Sequence, residues 1–205
     1  MKKNSYYVIN GITLYRLVTA PFLLYLIFTG STGLFKWLLA VSFFTDAIDG
    51  YLARKYKVTS IMGARLDSIG DDLTVLVGVI GLFVLRSDFI KSEIFWLAIL
   101  FVLFVAQVVM ALIRYGTTTS YHTWLAKLAA VCQGVFLILS FFTPEPSPLL
   151  FYIAVTVTGL DLLEEIVLIF LLPKWTANVK GLFWVLKQRN VLLFVLALLT
   201  GFIAG

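Results

Sequence analysis

The sequence has very few of the residues that build zinc or disulfide sites. It contains one cysteine, Cys132, and one histidine, His122, among 205 residues. A single cysteine excludes a disulfide framework within the chain, and a structural zinc site takes four cysteine or histidine ligands. A metal site in this chain is therefore expected to use oxygen ligands.

Charged residues are also scarce, because they make up only 13% of the chain while apolar residues make up 61%. With a mean hydropathy of +1.00, this composition is typical of a membrane protein and not of a soluble one. The apolar stretch after Met1 carries Arg16 and lacks the small-residue cleavage site of a secretory signal peptide. We therefore expect it to remain as the first membrane helix.

Apolar runs of about 20 residues predict an all-α polytopic membrane protein with six transmembrane helices. The predicted spans are Val8–Phe28, Leu34–Tyr51, Asp67–Leu85, Ile94–Ile113, Leu125–Phe142 and Leu149–Leu172. We expect residues 1–205 to form one integral membrane domain, with a six-helix core in 1–172 and a C-terminal extension in 173–205. The extension combines a predicted interfacial helix, which carries Trp175 and Trp184, with the apolar but short segment Val191–Gly205.

Basic residues are distributed unevenly between the predicted loops. Twelve of the sixteen lie on the side of the two termini, whereas Lys36, Arg86 and Lys91 lie on the other side and Arg16 lies within the first span. This asymmetry predicts that both termini are cytoplasmic. The net charge of +5 suits anionic lipid head groups, and its scatter along the membrane surface argues against a nucleic-acid partner.

The segment from Asp46 to Asp72 holds five of the eleven acidic residues, at the ends of two predicted spans. A charge at mid-bilayer costs about 2.5–3.5 kcal/mol, so this group needs cations or water. Asp46 and Asp49 share one helix face, and Asp67 and Asp71 lie one turn apart. Carboxylate ligands suit Mg²⁺ or Mn²⁺. A solvated charged loop is the simpler alternative, and a calcium-binding EF-hand fits poorly because the segment lacks its alternating ligands and closing Glu.

The same segment carries a long sequence pattern, D-x2-D-G-x2-A-R-x8-G-x3-D-x3-D. Its positions are Asp46, Asp49, Gly50, Ala53, Arg54, Gly63, Asp67 and Asp71. In this pattern the chain resembles the CDP-alcohol phosphatidyltransferases. The resemblance implies a membrane enzyme that moves a phosphatidyl group from CDP-diacylglycerol to an alcohol and releases CMP. It also implies a homodimer of six-helix subunits. The asymmetry of the basic residues predicts that the aspartate segment, and with it the active site, lies at the cytoplasmic surface, which in a bacterium is that of the inner membrane.

The resemblance also implies roles for individual residues. Two cations would be held by the four aspartates of the pattern, and Asp71 would also accept the proton of the acceptor hydroxyl. Arg54 would contact the pyrophosphate, while Gly50, Ala53 and Gly63 would line the nucleotide pocket. Asp72 stands where the family commonly has a basic residue, and no role is assigned to it.

The acceptor alcohol is less clearly indicated. Asn10, Thr13, Arg16 and Pro21 form an N-x2-T-x2-R-x4-P order that is similar to the first helix of glycerophosphate-using members of the family, which makes glycerol 3-phosphate the best candidate. Arg114 and Lys127 could hold an acceptor phosphate or serve as interface anchors. The chain has Ala129 and Ala130 where those members usually carry a lysine and a threonine. Inositol, inositol phosphate, serine and lipid acceptors therefore remain open.

A second set of acids lies within the sixth predicted span. Acids are costly in a membrane, so this set is a candidate for function; its members are Asp161, Glu164 and Glu165. Alternatively, they form a buried ion pair or a dimer contact. Their expected partners are Arg16, Arg114 and Lys127. His122 is expected to be structural or solvent-facing. Two further functions remain as alternatives, a membrane polyprenyl transferase and a cation transporter. The former normally has a second Asp-rich motif, which is absent here.

Overall fold

The computed structural model describes residues 15, 18–56 and 61–188, without the side chains of residues 46–56, 61–69, 71 and 72. The regular structure of this part of the chain is entirely helical, as predicted. In chain order the helices are α1 (Val18–Phe28), α2 (Thr32–Tyr56), α3 (Ile61–Leu85), α4 (Ser87–Tyr115), α5 (Trp124–Phe142), α6 (Pro148–Leu171) and α7 (182–188).

The helix ends follow from local sequence signals. Gly30 and Gly116 follow α1 and α4 with φ angles of +70° and +71°, the left-handed conformation in which glycine commonly terminates a helix. Thr123 caps the start of α5, because its hydroxyl accepts the N–H of Ala126 at 3.0 Å. Pro148 occupies the first position of α6, where the missing N–H costs nothing.

Two helices are long and apolar enough to cross a membrane. Among the described residues they are α4, with 29 residues, and α5, with 19 residues; an 18-residue stretch of each has a mean hydropathy of 2.8 and 2.0, respectively. The helix α6 has 24 residues, but Asp161, Glu164 and Glu165 lie in every 18-residue stretch of it. Within the described residues, length and composition thus identify two spans, and the count of six stays a prediction.

The described residues form two compact units. The first unit comprises the described residues up to Ile94 together with Gln133–Phe151. In it, Gly81 allows α3 to approach Phe35 so closely that a Cβ atom would lie 2.8 Å from the ring. The rings of Phe35 and Phe141 meet edge to face at 4.9 Å. Small residues of this kind let membrane helices pack closely.

The second unit comprises Phe95–Cys132 and the described residues from Tyr152 onwards. We call its apolar centre the α6 core cluster. The cluster consists of the buried residues Ala111, Tyr121, Leu168, Ile169 and Val179. It brings together α4, the α4–α5 connection, α6 and the segment that follows α6.

Candidate functional site

The helices α2 and α3 form a hairpin that carries the aspartate pattern. The two helices contact each other, and only residues 57–60 connect them, so they run antiparallel. Asp46 lies ten residues before the end of α2, and Asp71 lies ten residues after the start of α3. At 1.5 Å per residue both are about 15 Å from their helix ends. Asp49 and Asp67, seven and six residues from those ends, share a second level at about 10 Å.

Three of the four residues assigned to the nucleotide lie nearer the connection between the two helices than the aspartates do, and Gly50 lies at the level of Asp67. Arg54 and Gly63 are each two residues from their helix ends, Ala53 is three residues away and Gly50 is six. The side chains of all these residues, and of the four aspartates, lie outside the described part of the structure. The backbone therefore establishes their levels, and their roles stay predictions. As a donor set, four carboxylates at two adjacent levels fit hard divalent cations.

Two buried hydroxyls lie one turn beyond the aspartates. Ser42 precedes Asp46 by four residues and is 1% exposed, and its Oγ has no hydrogen-bond partner among the described residues. Thr74 follows Asp71 by three residues, is 4% exposed and donates to the carbonyl of Gly70 at 2.8 Å. Neither residue was singled out from the sequence alone. Their helical spacing from the aspartates could have identified them, because it places each on the same helix stripe as two of the aspartates.

The residues predicted to bind the acceptor have separate outcomes. Asn10, Thr13 and Arg16 lie outside the described residues. The Arg114 guanidinium donates to the carbonyls of Leu172 at 3.3 Å and Phe170 at 3.4 Å, and it thereby satisfies carbonyls at the end of α6. The Lys127 ammonium lies 4.9 Å from the centre of the Trp124 ring. These contacts give both cations a structural role, and their acceptor role stays a prediction.

The three acids of α6 have hydrogen-bond donors within their own unit. One carboxylate oxygen of Glu165 accepts from the Gln107 amide at 2.6 Å and from the Thr119 hydroxyl at 2.8 Å. Asp161 accepts from the Thr123 hydroxyl at 3.5 Å. Among described side chains, no group of three or more acids, histidines or cysteines is placed to hold a metal ion. This arrangement favours a structural role for Asp161 and Glu165, which connect α6 to α4 and to the α4–α5 connection.

Glu164 makes a different contact. Its Oε1 accepts the backbone N–H of Leu182, the first residue of α7, at 2.8 Å. The other oxygen is buried and has no partner within the described residues. Glu164 thus caps the start of α7 in the way that a carboxylate commonly satisfies the free N–H groups of a helix.

The connection between α4 and α5 contains the single histidine. His122 is exposed and has a positive φ of 51°, and its exposure agrees with the solvent-facing alternative of the two that were predicted, structural or solvent-facing. Its neighbour Tyr121 is 1% exposed and donates to the Tyr115 hydroxyl at 3.3 Å. The pKa of Tyr121 is raised far above its usual range, mainly by burial and secondly by this hydrogen bond. The phenol therefore stays neutral.

Comparison with known proteins connects the hairpin to a family. A sequence profile described as CDP-alcohol phosphatidyltransferase matches residues 6–169, which confirms the predicted resemblance. The chain is similar to the CDP-diacylglycerol–glycerol-3-phosphate 3-phosphatidyltransferase of Wigglesworthia glossinidia brevipalpis, with 30% identity over 57% of this chain and 59% of the relative. It is also similar to a probable phosphatidylglycerophosphate synthase of Mycobacterium tuberculosis, with 31% identity over 68% of each chain.

A yeast protein extends the range of acceptors among the relatives. The CDP-diacylglycerol–inositol 3-phosphatidyltransferase of Saccharomyces cerevisiae is 38% identical over 32% of this chain and 30% of its own length. The chain spans less than two thirds of the length of the Wigglesworthia and yeast proteins. The comparison with solved structures found no match.

Proposed function

The chain belongs to the CDP-alcohol phosphatidyltransferase family, and on this premise we propose that it transfers a phosphatidyl group from CDP-diacylglycerol to the hydroxyl of a small alcohol. The observation that carries the proposal is the placement of four aspartates at two matching levels of the α2–α3 hairpin. A phosphoryl-transfer site needs concentrated positive charge around the reacting phosphate. A set of four carboxylates can provide this charge by binding divalent cations.

We propose that Asp46, Asp49, Asp67 and Asp71 hold two ions of Mg²⁺ or Mn²⁺. When bound, such ions neutralise the charge that develops on the phosphate oxygens during transfer. The aspartates orient the site because they belong to two packed helices, and helical positions are held more precisely than loop positions.

The remaining pattern residues would bind and position the nucleotide. The Arg54 guanidinium suits the pyrophosphate because its planar fork grips two oxygens at once. Gly50, Ala53 and Gly63 leave space beside the hairpin backbone. In the transfer, the acceptor hydroxyl oxygen forms the new bond to phosphorus, the bond to the CMP oxygen breaks, and the hydroxyl proton passes to the Asp71 carboxylate.

For the acceptor we propose glycerol 3-phosphate. Support comes from the names of the Wigglesworthia and Mycobacterium relatives and from the order of Asn10, Thr13 and Arg16. Inositol is the second candidate, because the yeast relative is named for it and because Ala129 and Ala130 depart from the glycerophosphate-using pattern.

We also propose that the hairpin connection and both termini face the cytoplasm and that the protein is a homodimer. The side of the membrane is supported by the twelve basic residues predicted on that side. A nucleotide-activated substrate is available there. Family membership supports the dimer.

A direct assay tests the proposed reaction. The purified protein in lipid nanodiscs is mixed with labelled CDP-diacylglycerol, Mg²⁺ or Mn²⁺, and separately glycerol 3-phosphate, inositol, serine or a phosphatidyl lipid. We expect CMP release and a phosphatidylglycerophosphate product with glycerol 3-phosphate. If CMP is released only with one of the other alcohols, the assignment of glycerol 3-phosphate as the acceptor is wrong, but the reaction class stands. A protein that releases no CMP with any acceptor and either metal, yet consumes a prenyl pyrophosphate or conducts cations, would overturn the class.

A further inference from the structure

The segment of residues 173–188, which we call the basic aromatic segment, has no place in the proposed reaction. It lies beyond residues 6–169, to which the family profile extends. It contains Lys174, Lys180 and Lys187 and none of the eleven acidic residues of the chain. Two of the five tryptophans, Trp175 and Trp184, also lie in it.

One side of the segment is held firmly by the second unit. Val179 is buried in the α6 core cluster, and Leu182 and Val185, three residues apart on α7, pack against the same cluster. The N–H of Leu182 donates to Glu164. Gly181 makes this approach possible, since its φ is +142° and a Cβ atom there would lie 3.1 Å from the Glu164 oxygen.

Hydrogen bonds attach the segment to the α4–α5 connection as well. The Trp175 indole N–H donates to the carbonyl of Thr118 at 3.1 Å, and the N–H of Asn178 donates to the carbonyl of Ser120 at 3.1 Å. The carbonyl of Lys180 accepts the N–H of Trp124 at 3.3 Å. The segment is therefore part of the fold, and its outward side chains are presented from a fixed backbone.

The outward side of the segment mixes apolar and basic side chains. Phe183, Trp184 and Leu186 are 67%, 41% and 43% exposed, and the three lysines are also exposed. The exposed apolar face of α4 differs, because Phe101, Val102, Phe104 and Val105 lie within a stretch without a charged residue. An uncharged face of that kind suits hydrocarbon, whereas aromatic rings with interspersed lysines suit the depth of the lipid head groups.

We propose that the basic aromatic segment is a binding surface for the anionic phospholipid head groups of the surrounding membrane. Phe183, Trp184 and Leu186 enter the boundary between head groups and acyl chains, and the lysines contact lipid phosphates. Charge complementarity selects this occupant, because each basic residue near an anionic surface strengthens binding about fivefold. The proposal is independent of the phosphatidyl-transfer reaction, since no residue of the segment is assigned to it.

A fluorescent label at position 183 of the full-length protein tests the proposal. In a Cys132→Ala background, Phe183→Cys carries an environment-sensitive fluorophore, and the neutral quencher acrylamide reports its exposure to water. Nanodiscs are made of phosphatidylcholine alone or with increasing phosphatidylglycerol. The matched control is a label at Phe101, which is 66% exposed against 67% for Phe183. We expect anionic lipid to reduce acrylamide quenching of the label at position 183 several-fold. Quenching of the label at position 101 should not change.

Substitution of Lys174, Lys180 and Lys187 by glutamine identifies the cause of the shielding. We expect the triple variant to need several-fold more anionic lipid for the same protection from acrylamide. If the triple variant unfolds, Lys187→Gln alone is measured instead, and it should show a smaller shift in the same direction. Equal shielding in neutral and anionic nanodiscs would overturn the proposal, as would an unchanged response in the glutamine variants. Shielding in detergent that grows with protein concentration would also overturn it, because a second copy of the chain would then cover the segment.

Discussion

Two groups of acids lie in the apolar helices of this protein, and their arrangements differ. The hairpin acids, Asp46, Asp49, Asp67 and Asp71, are divided between two packed helices at two matching levels. The α6 acids, Asp161, Glu164 and Glu165, all lie on one helix and accept hydrogen bonds from their own unit. The cost of an acid in a membrane makes both groups candidates for function. The difference lies in the backbone arrangement, because two packed helices carry the hairpin acids at matching levels, and on this arrangement we propose the cation site at the hairpin and not at α6.

The largest expected effect comes from removing one charge from the hairpin acids. Asp67→Asn keeps the side-chain volume and removes one proposed ligand of the proposed catalytic cations, so we expect CMP release to fall by at least about 100-fold. The matched change in the other group, Glu165→Gln, should leave most of the activity. Steady-state assays of both variants at equal folded concentration measure the contrast. Near-normal turnover of Asp67→Asn would remove this residue from the ligand set.

The next prediction concerns the space beside the hairpin. Ala53→Leu adds bulk at a position assigned to the nucleotide pocket, so we expect the KM for CDP-diacylglycerol to rise about tenfold, the size of effect that poor fit commonly produces. Ala98→Leu, at an exposed position of α4, is the control and should leave this KM unchanged. An unaltered KM in Ala53→Leu would contradict the pocket assignment.

A change in the α6 acids should affect stability first. Glu165→Ala leaves the Gln107 amide, which is only 4% exposed, and the Thr119 hydroxyl without this acceptor. We expect the free energy of unfolding to fall by about 1–3 kcal/mol, measured as a lower Tm by tryptophan fluorescence in detergent. The double variant Glu165→Ala with Gln107→Leu should recover part of the loss, because an apolar pair leaves fewer polar groups unsatisfied. A normal Tm with lost activity would place Glu165 in the active site instead.

The smallest expected effect is that of Arg114→Lys. A lysine cannot repeat the two-point contact of the guanidinium with the carbonyls of Phe170 and Leu172, so we expect a loss of about 1 kcal/mol in stability. If the contact with these two carbonyls is the whole role of Arg114, the KM for the acceptor should be unchanged. Arg16→Lys should show the opposite result, with a raised acceptor KM and a nearly normal Tm, since phosphate prefers the planar fork. A raised acceptor KM in Arg114→Lys would support the predicted role of this residue in the acceptor site.

Helix positions were largely predictable where the sequence carries strong end signals. The predicted Leu125–Phe142 begins one residue after α5 and ends with it, and the predicted Leu149–Leu172 begins and ends one residue later than α6. Thr123, Pro148 and Pro173 mark three of these four ends. The helices α2 and α3 extend five residues beyond Tyr51 and six residues before Asp67. The predicted spans stop short of these turns because Arg54, Lys55 and Arg65 interrupt the apolar run, although the backbone there is helical.

The site was predictable to the extent that its residues are close in sequence. The aspartate pattern lies within one stretch, so helical spacing was enough to group it. The donors to Glu165 were not predictable in this way, because Thr119 and Gln107 are 46 and 58 residues away along the chain. The same applies to Glu164, whose bond to Leu182 depends on the path of the chain after α6. Long-range contacts of this kind require the three-dimensional structure.

Binding of Mn²⁺ tests the difference between the two groups of acids most directly. Electron paramagnetic resonance counts free Mn²⁺ in titrations of the wild type, Asp67→Asn and Glu165→Gln, without any need for turnover. We predict that Asp67→Asn loses most of the binding and that Glu165→Gln binds like the wild type. Full binding by Asp67→Asn together with lost binding by Glu165→Gln would contradict the assignment of the cation site to the α2–α3 hairpin.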